Sequence, residues 1–70
     1  MTDGNLLKNA IVSAGVSIVF LAQKMGCSRN RLYSIIAGAD CTASEITELA
    51  ELLHLTTEQR DAIFFAQNSE

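Results

Sequence analysis

The placement of glycines and hydroxyl residues constrains this chain more than any other feature. Leu7, Ala10, Ile11 and Ala14 recur at helical spacing and are followed by Gly15, where a left-handed residue ends a helix. Ser17 then stands ready to cap a second helix whose inward stripe is Ile18, Leu21, Ala22 and Met25, stopped at Gly26. Ser28 opens a third with Leu32, Ile35 and Ile36 inward, closed by Gly38. The first half is therefore expected to be three short helices, with Asn5 available as the first N-cap. Thr42 followed by Glu45 is a capping-box pattern, and Ile46, Leu49, Ala50 and Leu53 form the clearest amphipathic stripe. Thr56 and Gln59 repeat the device ahead of a fifth helix carrying Ala62, Ile63, Phe64 and Ala66. The fold class is all-α, a five-helix unit over residues 1–70 with its core in 6–66 and frayed ends at 1–4 and 67–70.

Size and composition narrow the function classes. A 7.6 kDa chain of 70 residues buries roughly 60% of its unfolded surface, enough for one core but not for a separate catalytic domain. With 49% hydrophobic residues, 19% charged and no proline, disordered, collagen-like and disulfide-scaffold readings are excluded. Cys27 and Cys41 form no C-x-x-C pair and read as reduced intracellular thiols, which makes the expected compartment cytoplasmic. The longest uncharged stretch, Asn9 to Gln23, spans roughly 22 Å as a helix against roughly 30 Å of bilayer core, so no membrane span is expected. A cleaved leader is not expected either, because the remainder would be too short to fold without staples.

The formal net charge of −3 conceals a split. Residues 1–38 carry Lys8, Lys24, Arg29 and Arg31 against Asp3 alone, whereas residues 39–70 carry Arg60 against Asp40, Glu45, Glu48, Glu51, Glu58, Asp61 and Glu70. A polyanion is drawn to the first half and repelled by the second, so any nucleic-acid contact falls near Lys24 to Arg31.

Two short helices joined by a glycine-containing turn are the helix-turn-helix layout, and Leu21-Ala22-Gln23-Lys24-Met25-Gly26-Cys27-Ser28 fits it. Ala22 is small enough to let the helices approach, Gly26 supplies positive φ, Cys27 fills an apolar hole beneath the turn, and Ser28 caps the next helix. Across Leu6 to Phe65, and most densely from Leu21 through Arg29 to Ile35 and Gly38, the chain resembles the lambda-repressor-like, Cro-like helix-turn-helix regulators of the xenobiotic-response-element type. The resemblance implies a transcriptional repressor or Cro-like switch, phage or mobile-element in kind, with Arg29 and Asn30 at the usual base-reading positions. Two departures stand out. Ile18 occupies the place of a phosphate-gripping glutamine, and Ile11 and Ile36 occupy the places of a helix 1 arginine and a helix 3 glutamate, so an apolar Ile11–Ile36 contact is expected in place of an ion pair.

With Leu32, Ile35 and Ile36 facing inward, the helical step points Asn30, Tyr33, Ser34 and Ala37 outward, flanked by Arg29 and Arg31. Asn30 suits adenine and Arg29 suits guanine in a major groove, with Tyr33 and Ser34 as further base contacts. Ser17, Lys24, Ser28 and Arg31 are expected to meet phosphate, the serines at helix N-termini. The expected partner is a double-stranded DNA operator, bound by a homodimer on paired half-sites. Val19, Phe20, Phe64 and Phe65 are the candidate dimer or partner surface.

A rival reading makes the chain a protein-binding module docking on another regulator protein, as an antirepressor would. Its support is the acidic net charge, the apolar Val19 and Phe20 at positions usually polar, and the stripe Glu45, Glu48 and Glu51. An enzyme reading has little to work with. His54 is the only histidine and reads as a helix C-terminal residue, and two cysteines with one histidine make no metal-ligand pattern, so no catalysis, metal or cofactor is expected.

Overall fold

A computed structural model describes residues 1–65. Five helices follow one another: α1 Gly4–Ala14, α2 Ile18–Met25, α3 Arg29–Ile36, α4 Ala43–Leu52 and α5 Thr57–Phe64. The stops and starts fall where the local chemistry puts them. Gly15 and Gly26 take left-handed conformations at φ 72° and 67°, and their N–H groups return to carbonyls one turn back. Ser17 and Ser28 cap α2 and α3 by accepting from the Phe20 and Arg31 N–H groups. Thr42 with Glu45 and Thr56 with Gln59 form complete capping boxes on α4 and α5.

The apolar stripes converge on one core of Leu7, Ile11, Leu21, Ala22, Leu32, Ile35, Leu49, Leu53, Ile63 and Phe64. α1 and α2 lie at 98° to one another across a three-residue break, so the uncharged stretch from Asn9 to Gln23 turns through about a right angle. No single helix among the described residues is long and apolar enough to cross a membrane. α3 rests on α1 and α2, α4 on α2, and α5 on α1 and α4.

The amino end departs from expectation. α1 starts at Gly4 and its N-cap is Asp3, whose carboxylate accepts from the Leu6 N–H at 3.1 Å, so Asn5 lies inside the helix rather than capping it. Thr2 is only 5% exposed, and the Asp3 N–H donates to the Ile63 carbonyl at 2.7 Å. The segment expected to fray is strapped across the end of α5. Gly4 fits because its Cα lies against the Ile36 carbonyl, where any Cβ would collide with backbone. The end of α3 thus closes on the start of α1, the helix that carries Ile11 of the expected Ile11–Ile36 contact. Both isoleucines join the core, Ile11 buried and Ile36 half-buried at its margin. Ala66 and residues 67–70, assigned by sequence to the last helix and to a frayed end, lie outside the described residues.

Candidate nucleic-acid interface

The geometry of α3 follows from two anchors beneath it. Leu32 and Ile35 are fully buried, three residues apart on one face. Arg29, Asn30, Tyr33, Ser34 and the capping Ala37 are all exposed, forming one polar face turned away from the core. α2 and α3 are joined by Gly26, Cys27 and Ser28, and the Cys27 N–H donates to the Ala22 carbonyl at 3.0 Å, which tightens the turn. Cys27 is half-buried against the core rather than enclosed by it.

The electrostatics of this end differ from the rest of the molecule. Neither α2 nor α3 carries an acidic residue of its own in its first turn, and each N-terminus is capped by a serine hydroxyl. In Ser17 and Ser28 that oxygen is engaged as an acceptor, while the hydroxyl proton stays available for donation. Lys24 sits in the last turn of α2 with Nζ 5.7 Å from the centre of the Phe20 ring, on an exposed surface that also holds Val19.

Arg31, expected among the phosphate contacts, is occupied elsewhere. Its Nε and Nη2 donate to the two carboxylate oxygens of Glu45, both at 2.8 Å, and Nη2 also donates to the Asp40 backbone carbonyl at 2.9 Å. Glu45 in turn accepts from the Thr42 N–H at 2.9 Å. The hydrogen bonds from Arg31 hold the Glu45 carboxyl down at about 2, well below the usual carboxylate range, and the same bonds raise the Arg31 guanidinium further above its already high value. Sequence reasoning placed Glu45 in a capping box and an acidic stripe but missed this pairing. The two residues are 14 apart, and no periodicity signals a contact of that range.

The structure divides the candidate partner surface. Phe64 is 5% exposed and belongs to the core, so it is removed from that surface, whereas Phe65 is 47% exposed with the Arg60 guanidinium 5.9 Å from its ring. Val19 and Phe20 remain exposed. His54 follows α4 with φ 55°, an unusual conformation for a non-glycine residue. Burial pushes the Cys41 thiol up and keeps it protonated near neutrality. No group of three histidine, cysteine or acidic side chains that could hold a metal is found among the described residues.

The chain matches no protein-family model, no curated protein and no solved structure.

Proposed function

We propose that this chain is a sequence-specific DNA-binding transcriptional regulator of the lambda-repressor-like or Cro-like kind, with α2 and α3 as its helix-turn-helix and α3 reading the major groove. The observation that carries the reading is the division of α3 into a buried face of Leu32 and Ile35 and an exposed face of Arg29, Asn30, Tyr33 and Ser34. A helix of this width, held from beneath and polar above, fits a groove about 12 Å wide. Asn30 suits bidentate recognition of adenine, and Arg29 suits guanine O6 and N7. Lys24 and the α2 and α3 N-termini, free of first-turn carboxylates, suit phosphate. The excess of acidic residues from Asp40 onward repels a polyanion, which favours approach by the basic first half of the chain. A module this small gains affinity by pairing on two half-sites, and a homodimer on a near-palindromic operator follows, with Phe65 as the exposed aromatic of the last helical segment.

The test is a salt-titrated binding assay on the DNA upstream of its own operon and on duplexes selected from a random pool. Lys24→Ala is expected to weaken all duplexes equally and to reduce the slope of log K against log[salt] by about 0.9. Asn30→Ala is expected to cost about 1–3 kcal/mol at one base position and little elsewhere. A second reading draws on the exposed Val19 and Phe20 of α2, an apolar pair at positions suited to protein contact. In that reading the chain docks on another regulator. Absence of binding to any duplex at low salt, with a tight complex to a neighbouring regulator that Phe20→Ser abolishes, would favour it.

A further inference from the structure

The gap between α3 and α4 sets the problem. No Cα of α3 comes within 8 Å of a Cα of α4, although both helices flank the same core. α3 is therefore supported from beneath by Leu32 and Ile35 and at its carboxyl end by the Gly4–Ile36 contact, while its backbone does not pack directly on that of α4. The long side chain of Arg31 crosses that gap. Arg31 makes a two-pronged bond to Glu45 and a third bond to the Asp40 carbonyl. It thereby joins α3, the α3–α4 loop and the first turn of α4. Glu45 is itself fixed by the Thr42 N–H, and the Glu45 N–H is capped by the Thr42 hydroxyl. The anchor is thus a rigid helix terminus rather than a free side chain. The side chains are 34% and 17% exposed, so the pair is partly shielded from water and the fork geometry holds both planes in place.

We propose that Arg31 is a positioning residue that sets the lateral orientation of α3 by bracing it against the capped start of α4, and that it does not anchor phosphate. The inference rests on the reading of α3 as the base-reading helix and adds a specificity determinant to it. Sequence discrimination by Asn30 and Arg29 depends on angles that a small rotation of a two-turn helix would spoil. Phosphate affinity, which is a point-charge interaction, tolerates such a rotation. Removing the brace therefore lowers selectivity and leaves counterion release unchanged.

The experiment uses the full chain, a duplex selected from a random pool by the wild-type protein, and a scrambled duplex of equal composition. Binding is measured against salt for wild type, Arg31→Ala, Arg31→Lys, Glu45→Gln, Lys24→Ala and Thr56→Ala, with helicity checked by circular dichroism. Thr56→Ala loosens the cap of α5, which does not pack on α3, and controls for general loss of stability. The expected result is a drop of about tenfold in the selected-to-scrambled ratio for Arg31→Ala, the discrimination that a single bidentate pairing with a base edge supplies, with an unchanged salt slope. Arg31→Lys keeps the charge and its reach but cannot form the fork, so it is expected to fail to restore selectivity. Glu45→Gln is expected to lose selectivity as well. Thr56→Ala leaves the ratio unchanged, and Lys24→Ala reduces the slope without changing the ratio.

The inference is overturned if Arg31→Ala reduces the slope by about 0.9 with equal loss on both duplexes, or if Arg31→Lys behaves as wild type. Tighter binding with a steeper slope in Glu45→Gln would equally overturn it, because it would show Arg31 freed to reach phosphate. If the wild-type chain binds neither duplex at low salt, the DNA reading itself fails and takes this role of Arg31 with it. That outcome is distinct from any in which the wild type binds.

Discussion

α3 and α5 are both eight residues long and both begin at a hydroxyl cap, yet they are built for different surroundings. α5 closes its N-terminus with a full capping box, adds Glu58 in the first turn, and buries the adjacent pair Ile63 and Phe64. α3 has a serine cap alone, no carboxylate in its first turn, and a broad exposed face carrying Arg29, Asn30, Tyr33 and Ser34. A helix that satisfies its own N-terminus with carboxylate or amide side chains serves the fold. One that leaves its positive end and a polar face open has a stabilising opportunity unused within the chain, and an anionic partner can supply it. The same contrast holds between α4, with Glu45 in its first turn, and α2, with none. Electrostatically the helix starts are of two kinds, closed and open.

The comparison can be broken most severely from beneath α3. Leu32→Ala removes one of its two buried anchors and is expected to cost about 3 kcal/mol in chemical denaturation, whereas Tyr33→Ala, one position along on the exposed face, is expected to change stability by less than about 0.5 kcal/mol. Similar costs for the two would show that α3 is not divided into faces as described. Next in size is Gly4→Ala, which forces a Cβ onto the Ile36 carbonyl. A loss of about 2 kcal/mol is expected, because both partners are backbone and cannot rotate away. An unchanged midpoint would mean that the carboxyl end of α3 is not held against α1.

Acid titration sharpens the electrostatic half of the contrast. Glu45 is held at about 2 in the folded chain against an ordinary 4.5. Its contribution is therefore fully present above pH 4.5 and is lost as pH falls toward 2. Glu45→Gln keeps a capping-box acceptor for the Thr42 N–H but loses the charge that Arg31 grips. The stability gap between wild type and this variant is expected to be constant from pH 7 to about pH 5 and to close below it; a gap independent of pH down to 2 would contradict the ion pair. The smallest effects concern the caps. Thr56→Ala and Ser28→Ala are each expected to cost about 1 kcal/mol in isolation. In the presence of a selected duplex, the melting temperature of Ser28→Ala should fall further than that of Thr56→Ala, since only the former lies at an open helix start.

Much of this was legible in the sequence because the signals are local. Ser17, Gly26, Ser28, Thr42 and Thr56 act on backbone groups within four residues, so their roles can be read from spacing alone. The all-α class and the faces of α3 follow from the same short-range periodicity. What was not legible depends on long-range contacts. Asp3 outcompetes Asn5 as the cap because the amino segment is tied to Ile63 from 60 residues away in sequence, and nothing near Asp3 announces that tie. Phe64 and Phe65 are neighbours on a helix edge, and only the seating of α5 on α1 and α4 decides which one turns inward. Arg31 presents an ordinary cation in the sequence, and its commitment to Glu45 emerges only when the α3–α4 loop brings a helix start beside it.

The central claim is that the outer face of α3 meets duplex DNA, and backbone amide chemical-shift mapping tests it most directly. Titrating the isotopically labelled chain with a selected duplex at low salt should perturb Arg29, Asn30, Tyr33 and Ser34 most, with smaller changes at Ser17 and Lys24 and little at Glu51 or Glu58. Shifts confined to Val19, Phe20 or Phe65, or no shifts with any duplex, would contradict the account.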